Sequence, residues 1–104
     1  MAKKTTAKVS IEILNYLFFE FDIWAKIQDG RLSSIVIANT LSPDRYGRNA
    51  TSMIIKHFKP NGKHIATTHC VKDNQSGCVL HQDEKDLIVG DIKLTRLQPP
   101  PESA

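Results

Sequence analysis

The sequence predicts one small, mainly β domain of about six strands. Apolar residues alternate with other residues between positions 9 and 27, which is the period of a β-strand. Two turn pairs, Asp29-Gly30 and Asn61-Gly62, each stand between stretches rich in β-branched residues. Short polar segments divide the rest of the chain. We therefore expect a single antiparallel meander sheet or a small barrel, and the 104 residues allow one core of this kind.

The N-terminal stretch has two interpretations. Its odd positions from Val9 to Ile27 are apolar with Asn15 as the exception, and the many Val and Ile residues favour a strand. A strand of about twenty residues would be unusually long, however. Apolar residues also recur at helical spacing, at Ala7, Ile11, Leu14 and Phe18. The alternative is therefore an α+β domain with an N-terminal helix at about residues 6–17 packed on the sheet.

The Asp29-Gly30 pair predicts a hairpin with a two-residue loop. The pairing fixed by this turn places the apolar residues of both strands on one face, and a one-residue slip would separate them. The other face then carries an apolar cluster formed by Trp24, Ile35 and Ile37. Either the rest of the domain covers this cluster or it is an interface, for which a homodimer is the simplest arrangement.

The remainder of the chain reads as further short strands. Residues 42–49 carry Pro, Gly and Asn and predict a loop, and a second hairpin follows around Asn61-Gly62. Pairing across that turn places Met53 opposite Cys70 and Ile54 opposite His69. Later turns are expected at 73–77 and 82–86, with strands at 78–81 and 87–97. We assign residues 7–97 to the domain, and expect 1–6 and the Pro-rich segment 98–104 to be disordered.

Composition and motifs point away from an enzyme. The chain has 14 Lys+Arg and 11 Asp+Glu, a formal net charge of +3, which is too small to indicate a dense basic stripe. It contains no nucleophile elbow, no zinc-protease motif and no phosphate-binding glycine loop. We expect a small non-enzymatic binding or protein-interaction module without a cofactor, self-associating through the first hairpin.

Nucleic-acid binding is the alternative function. Arginine pairs with phosphates and tyrosine stacks on bases, and the loop after the first hairpin carries both residue types. Lysines near the tip of the second hairpin would extend this patch if the tip lies beside the loop. The residues of this candidate site are Arg45, Tyr46, Arg48, Lys56, Lys59 and Lys63.

Histidines and cysteines are concentrated between positions 57 and 81, where Cys78-x-x-His81 has a spacing used by zinc sites. Alternation along a strand separates His69 from Cys70, so a single set remains compatible with the predicted pairing. That set is His57, Cys70, Cys78 and His81. We predict core cysteines and half-exposed histidines without a metal, although pairing of the two cysteines stays open.

The N-terminus lacks a signal-peptide pattern, and the chain has no run of about 18 apolar residues that could span a bilayer. These features predict a soluble cytoplasmic protein without a membrane partner.

Overall fold

The computed structural model describes residues 5–41 and 49–97. The described chain is mainly β with six strands and two helices, which confirms the predicted class and strand number. In chain order the elements are β1 (Thr5–Val9), α1 (Ile11–Glu20), α2 (Ile23–Gln28), β2 (Ser33–Leu41), β3 (Ala50–Phe58), β4 (His64–Asp73), β5 (Val79–Val89) and β6 (Ile92–Arg96).

The six strands form one open sheet in the order β1-β6-β5-β4-β3-β2. Strands β2 to β6 are an antiparallel meander, as predicted, but β1 lies parallel to β6 at one edge. The predicted purely antiparallel sheet is therefore wrong in one strand, and the barrel does not form. The reason is the two helices, which carry the chain from β1 to the opposite edge and leave β1 beside the last strand.

The N-terminal helix of the alternative interpretation is present, but it spans Ile11–Glu20 instead of about residues 6–17. The Ser10 side chain caps α1 by accepting a hydrogen bond from the Ile13 backbone N–H at 3.3 Å, and Glu12 lies in the first turn. Residues before Ser10 cannot join the helix because Thr5–Val9 pairs with β6. Two of them, Thr5 and Thr6, belong to the segment that we expected to be disordered.

The predicted hairpin at Asp29-Gly30 does not form. These two residues instead connect α2 to β2, with Gly30 at φ +81°, and β2 pairs with β3. Two short helices explain why apolar residues occur on both faces of the strand predicted for residues 9–27. Asp22, at φ 55°, separates the helices and allows each one to turn an apolar side toward the sheet.

The second hairpin is confirmed around Asn61-Gly62. Met53 pairs with Cys70 and Ile54 pairs with His69, as the turn predicted. The register changes between His57 and Phe58, so that Phe58 faces His64. The two strands therefore follow the predicted pairing except at the end nearest the turn.

The acidic segment 82–86 is not a turn, because β5 runs without interruption from Val79 to Val89. Its acidic side chains have partners within the sheet: Asp83 accepts from Arg96, and Asp86 accepts from Thr95. A register shift against β4 between Thr67 and Thr68 accommodates the segment. The actual turn follows Val89 and contains Gly90 at φ +60°.

The core lies between the helices and the half of the sheet formed by β4, β5 and β6. Its buried side chains come from both helices, from the residue that precedes β2, and from β4 and β5: Leu14, Phe18, Ile23, Leu32, Ala66 and Leu87. Because α1 packs on β5 and β6, the helices do not extend over most of β2. No helix in the described ranges has the length and apolar character to cross a membrane.

Candidate functional site

Strand β2 is an edge strand with apolar side chains open to solvent. Ile35, Val36 and Ile37 are 55%, 46% and 51% exposed. The nine residues Ser33–Leu41 include no charged residue and no proline. Natural edge strands usually carry such residues, which discourage pairing with another chain.

The backbone of β2 is also open on one side. Within the described part of the chain β2 pairs with β3 alone, so its other edge presents N–H and C=O groups to a further strand. A β-bulge between Val36 and Ala38 interrupts this edge, and such bulges discourage pairing with another chain. Pairing with β3 is regular from Ser33 to Val36, which makes this part the best template for a new strand.

Two of the three residues predicted as an interface lie on this edge. Ile35 and Ile37 are exposed on β2, as an interface requires. Trp24 is elsewhere, on α2, where its ring lies 5.6 Å from the ring of Phe18. Its indole N–H donates to Glu84 at 3.0 Å. The predicted cluster of Trp24 with the isoleucines depended on the hairpin, and it is wrong for the same reason.

A buried histidine fixes β2 to the sheet. His57 on β3 is 2% exposed, and its Nδ1 lies 2.7 Å from Ser34 Oγ on β2. Its Nε2 lies 2.7 Å from Thr68 Oγ1 on β4. Burial, and to a lesser degree the charge of His64, lowers the His57 pKa to about 4. The ring is therefore neutral at pH 7 and holds three strands together with two hydrogen bonds.

A buried carboxylate fixes the helices to the sheet. Glu84 on β5 accepts from the Trp24 indole, and the Asn15 amide nitrogen lies 2.5 Å from both carboxylate oxygens when oriented to donate. Each helix thus contributes one donor. Each carboxylate oxygen of Glu84 therefore has a donor, which is the pattern of a structural group.

The predicted nucleic-acid residues divide into two groups. Arg45, Tyr46 and Arg48 lie outside the described residues. Lys56 lies on β3, while Lys59 and Lys63 lie in the turn that follows it. The nine residues of β3 span about 30 Å, so the turn and the start of β3, just after the loop, are at opposite ends of the strand.

The lysines at the turn line two clefts. Lys59 lines a cleft of about 410 Å³ together with Lys26 and Arg31. Lys59 and Lys63 line a second cleft of about 450 Å³, which also includes Asp91. Lys26 and Arg31 were not predicted, because their approach to the turn depends on the position of α2.

The four predicted metal-binding candidates do not converge. Both nitrogens of His57 contact hydroxyl groups, and Cys70 shares the helix-covered side of β4 with Ala66. His81 points to the other side, and Cys78 is exposed ahead of β5. Both cysteines are free thiols.

The sequence reasoning missed a different grouping, in which His81 lies near His69 and Asp83. The pairing of His69 with Asp83 follows a bulge in β5, and no residue pattern marked that bulge in advance.

Comparisons of the chain with protein-family models, with curated proteins and with solved structures gave no match.

Proposed function

We propose that this protein is a small binding module that self-associates through strand β2. Two copies align their β2 edges in antiparallel orientation and form one continuous sheet across a two-fold axis. The observation that carries the proposal is the long, uncharged edge strand with half-exposed Ile35, Val36 and Ile37.

A second copy fits this edge because an antiparallel strand pair is self-complementary. The two-fold axis brings each residue of one strand opposite a residue of the same uncharged segment, so no like charges meet despite the net charge of +3. Ile35 and Val36 lie on opposite faces of the sheet, and pairing covers part of both. Full burial of one such side chain contributes about 1.5–3 kcal/mol.

We expect Ile35→Lys to convert a dimer into a monomer. The substitution places a charge on each copy at the centre of the pairing strands, where the two ammonium groups repel each other and resist burial. The measurement is molar mass by light scattering across a concentration series.

The matched control is Ile13→Lys, because Ile13 is 50% exposed and lies on α1, away from β2. This variant should remain a dimer. A monomeric wild-type protein at high concentration would refute the proposal. Loss of the dimer in Ile13→Lys alone would place the contact on α1 instead.

Binding to nucleic acid is the second candidate, supported by the three cations Lys26, Arg31 and Lys59 around one cleft. Phosphate groups of a single strand are the expected ligands. Affinity should then fall with rising salt, with a slope of about 0.7 for each phosphate contacted.

We expect Lys59→Glu to weaken binding of a single-stranded oligonucleotide and to reduce the salt slope, because Lys59 lines both clefts. Lys72→Glu, an exposed change on β4, is the control and should retain most of the affinity. Fluorescence anisotropy at several salt concentrations measures both quantities. Binding that is absent, or that does not change with salt, excludes this function.

A further inference from the structure

Three side chains with metal-binding atoms meet on the side of the sheet opposite the helices. His69 on β4 pairs with Asp83 on β5, and the neighbouring pair on the same side is Val71 with His81. Side chains alternate along a strand, so His69 points away from the side on which Ala66 enters the core. The register of two adjacent strands therefore holds two imidazoles and one carboxylate together.

The distances within this group suit a small cation. His69 Nδ1 lies 3.3 Å from Asp83 Oδ1, and His81 Nε2 lies 3.2 Å from Asp83 Oδ2. One candidate ligand atom from each residue can be chosen so that all three lie within 4.8 Å of one another. Ligands bound tetrahedrally at about 2.0–2.2 Å are separated by about 3.3–3.6 Å, so small side-chain adjustments would place an ion between them.

The surroundings orient two of the three ligands. Ser52 Oγ lies 2.5 Å from His69 Nε2, which leaves Nδ1 facing Asp83. Arg96 donates to Asp83 Oδ2 at 2.6 Å and fixes the carboxylate. Hydrogen bonds to the outer atoms of ligands are typical of metal sites, where they set ring orientation and the position of the lone pair.

A second observation at this position is the environment of Asp83 Oδ1, which lies 3.3 Å from His69 Nδ1. This oxygen is buried from solvent and has no hydrogen-bond donor in suitable geometry. When Nε2–H donates to Ser52, the His69 Nδ1 lone pair and Asp83 Oδ1 are two acceptors facing each other at 3.3 Å, an arrangement that a positive ion between them would relieve.

We propose that His69, His81 and Asp83 form a binding site for one divalent transition-metal ion, with Zn²⁺ as the expected occupant. Two imidazoles and one carboxylate are a donor set that zinc accepts, and three protein ligands leave a fourth position open to water or another ligand. His81 is half-exposed and lines a cleft of about 450 Å³ with Asp83 and Arg96, which gives an ion access from solvent.

The test is titration of the full chain with Zn²⁺ by isothermal calorimetry, in a Cys78→Ser background that removes the exposed thiol. We expect one ion per chain. His81→Gln should weaken binding at least about tenfold, and Ser52→Ala, which removes the orienting hydroxyl, about 10- to 100-fold. His81 is an exposed residue, so its replacement should leave the circular dichroism spectrum unchanged.

His64→Gln is the matched histidine control, because His64 lies at the other end of β4 and contacts Ala66 and Thr67. It should bind Zn²⁺ like the parent protein. Titration with Co²⁺ adds a spectroscopic readout: nitrogen and oxygen ligands give visible bands without a thiolate charge-transfer band. Failure to bind Zn²⁺, unchanged affinity in His81→Gln, or a thiolate band from Cys70 would each overturn the proposal.

Discussion

Replacing Phe18 by alanine should lower the free energy of unfolding by about 3–5 kcal/mol, the largest effect that we expect from one substitution. The Phe18 side chain is fully buried where α1 meets the sheet, and it packs in one cluster with Leu14 and Ile23. Removal of the ring leaves a cavity under α1 and withdraws the aromatic surface on which Trp24 packs.

The neighbouring residue supplies a matched control for this change. Phe19 lies on the same helix but is 78% exposed, so Phe19→Ala should alter the free energy of unfolding by less than about 0.5 kcal/mol. Urea unfolding of the two variants followed by Trp24 fluorescence compares them directly. Equal destabilisation by both substitutions would contradict the described packing of α1.

Acid should destabilise the protein through His57. Its pKa is about 4 in the folded chain, against an ordinary value of 6.5, because burial disfavours the charged ring. The unfolded chain therefore takes up a proton at a higher pH than the folded chain does. The stability from this group is fully present above pH 6.5 and is lost as the pH falls toward 4, a loss of about 3 kcal/mol.

His57→Gln isolates this contribution from that of other groups. Asp83 also has a lowered pKa, with hydrogen bonds from Arg96 and His81 outweighing its burial, so wild-type stability falls in acid for a second reason. Urea unfolding gives the difference in free energy of unfolding between wild type and His57→Gln. This difference should be smaller at pH 4.5 than at pH 7. Titration of the His57 ring by nuclear magnetic resonance provides a second test. Protonation of the ring near pH 6.5 in the folded protein would contradict the lowered pKa.

The sequence predicted the second hairpin well because the necessary information is local. Pro60-Asn61-Gly62 forms the turn: the Gly62 N–H donates to the Lys59 carbonyl at 2.8 Å, and Gly62 follows with a positive φ of 85°. Once the turn is known, the pairs Met53–Cys70 and Ile54–His69 follow by counting. A bulge near the turn changed the last pair, and no sequence pattern marked it.

The first third of the chain was harder to predict because its apolar residues fit two periods. Alternation favoured a strand, and the observed helices depend on the Ser10 cap and on contacts with β5 and β6. These contacts come from distant parts of the sequence, and they outweigh local preference. The error then spread to Trp24, whose partner Glu84 is sixty positions away.

The two candidate sites also differ in how much of each could be predicted from the sequence. The strand that carries Ile35 and Ile37 was predicted, since both lie in a short β-branched segment that forms a strand in either interpretation. The sequence left open whether the domain covers their side chains, and the structure shows both half-exposed. The group of His69, His81 and Asp83 was not foreseen, because it needs the register between β4 and β5. A site that spans two strands becomes visible only when their bulges are known.

Parallel pairing of β1 with β6 has a consequence for the order of folding. The first hydrogen bonds of this pair join Thr5 to Asp91, and the last join Leu97 to Val9, so nearly the whole described chain lies between the two partners. Contacts between such distant segments carry the largest loop-closure entropy and form slowly. The antiparallel hairpins can assemble from neighbours in the chain, whereas β1 must wait for a completed β6, and it is therefore the strand we expect to dock last.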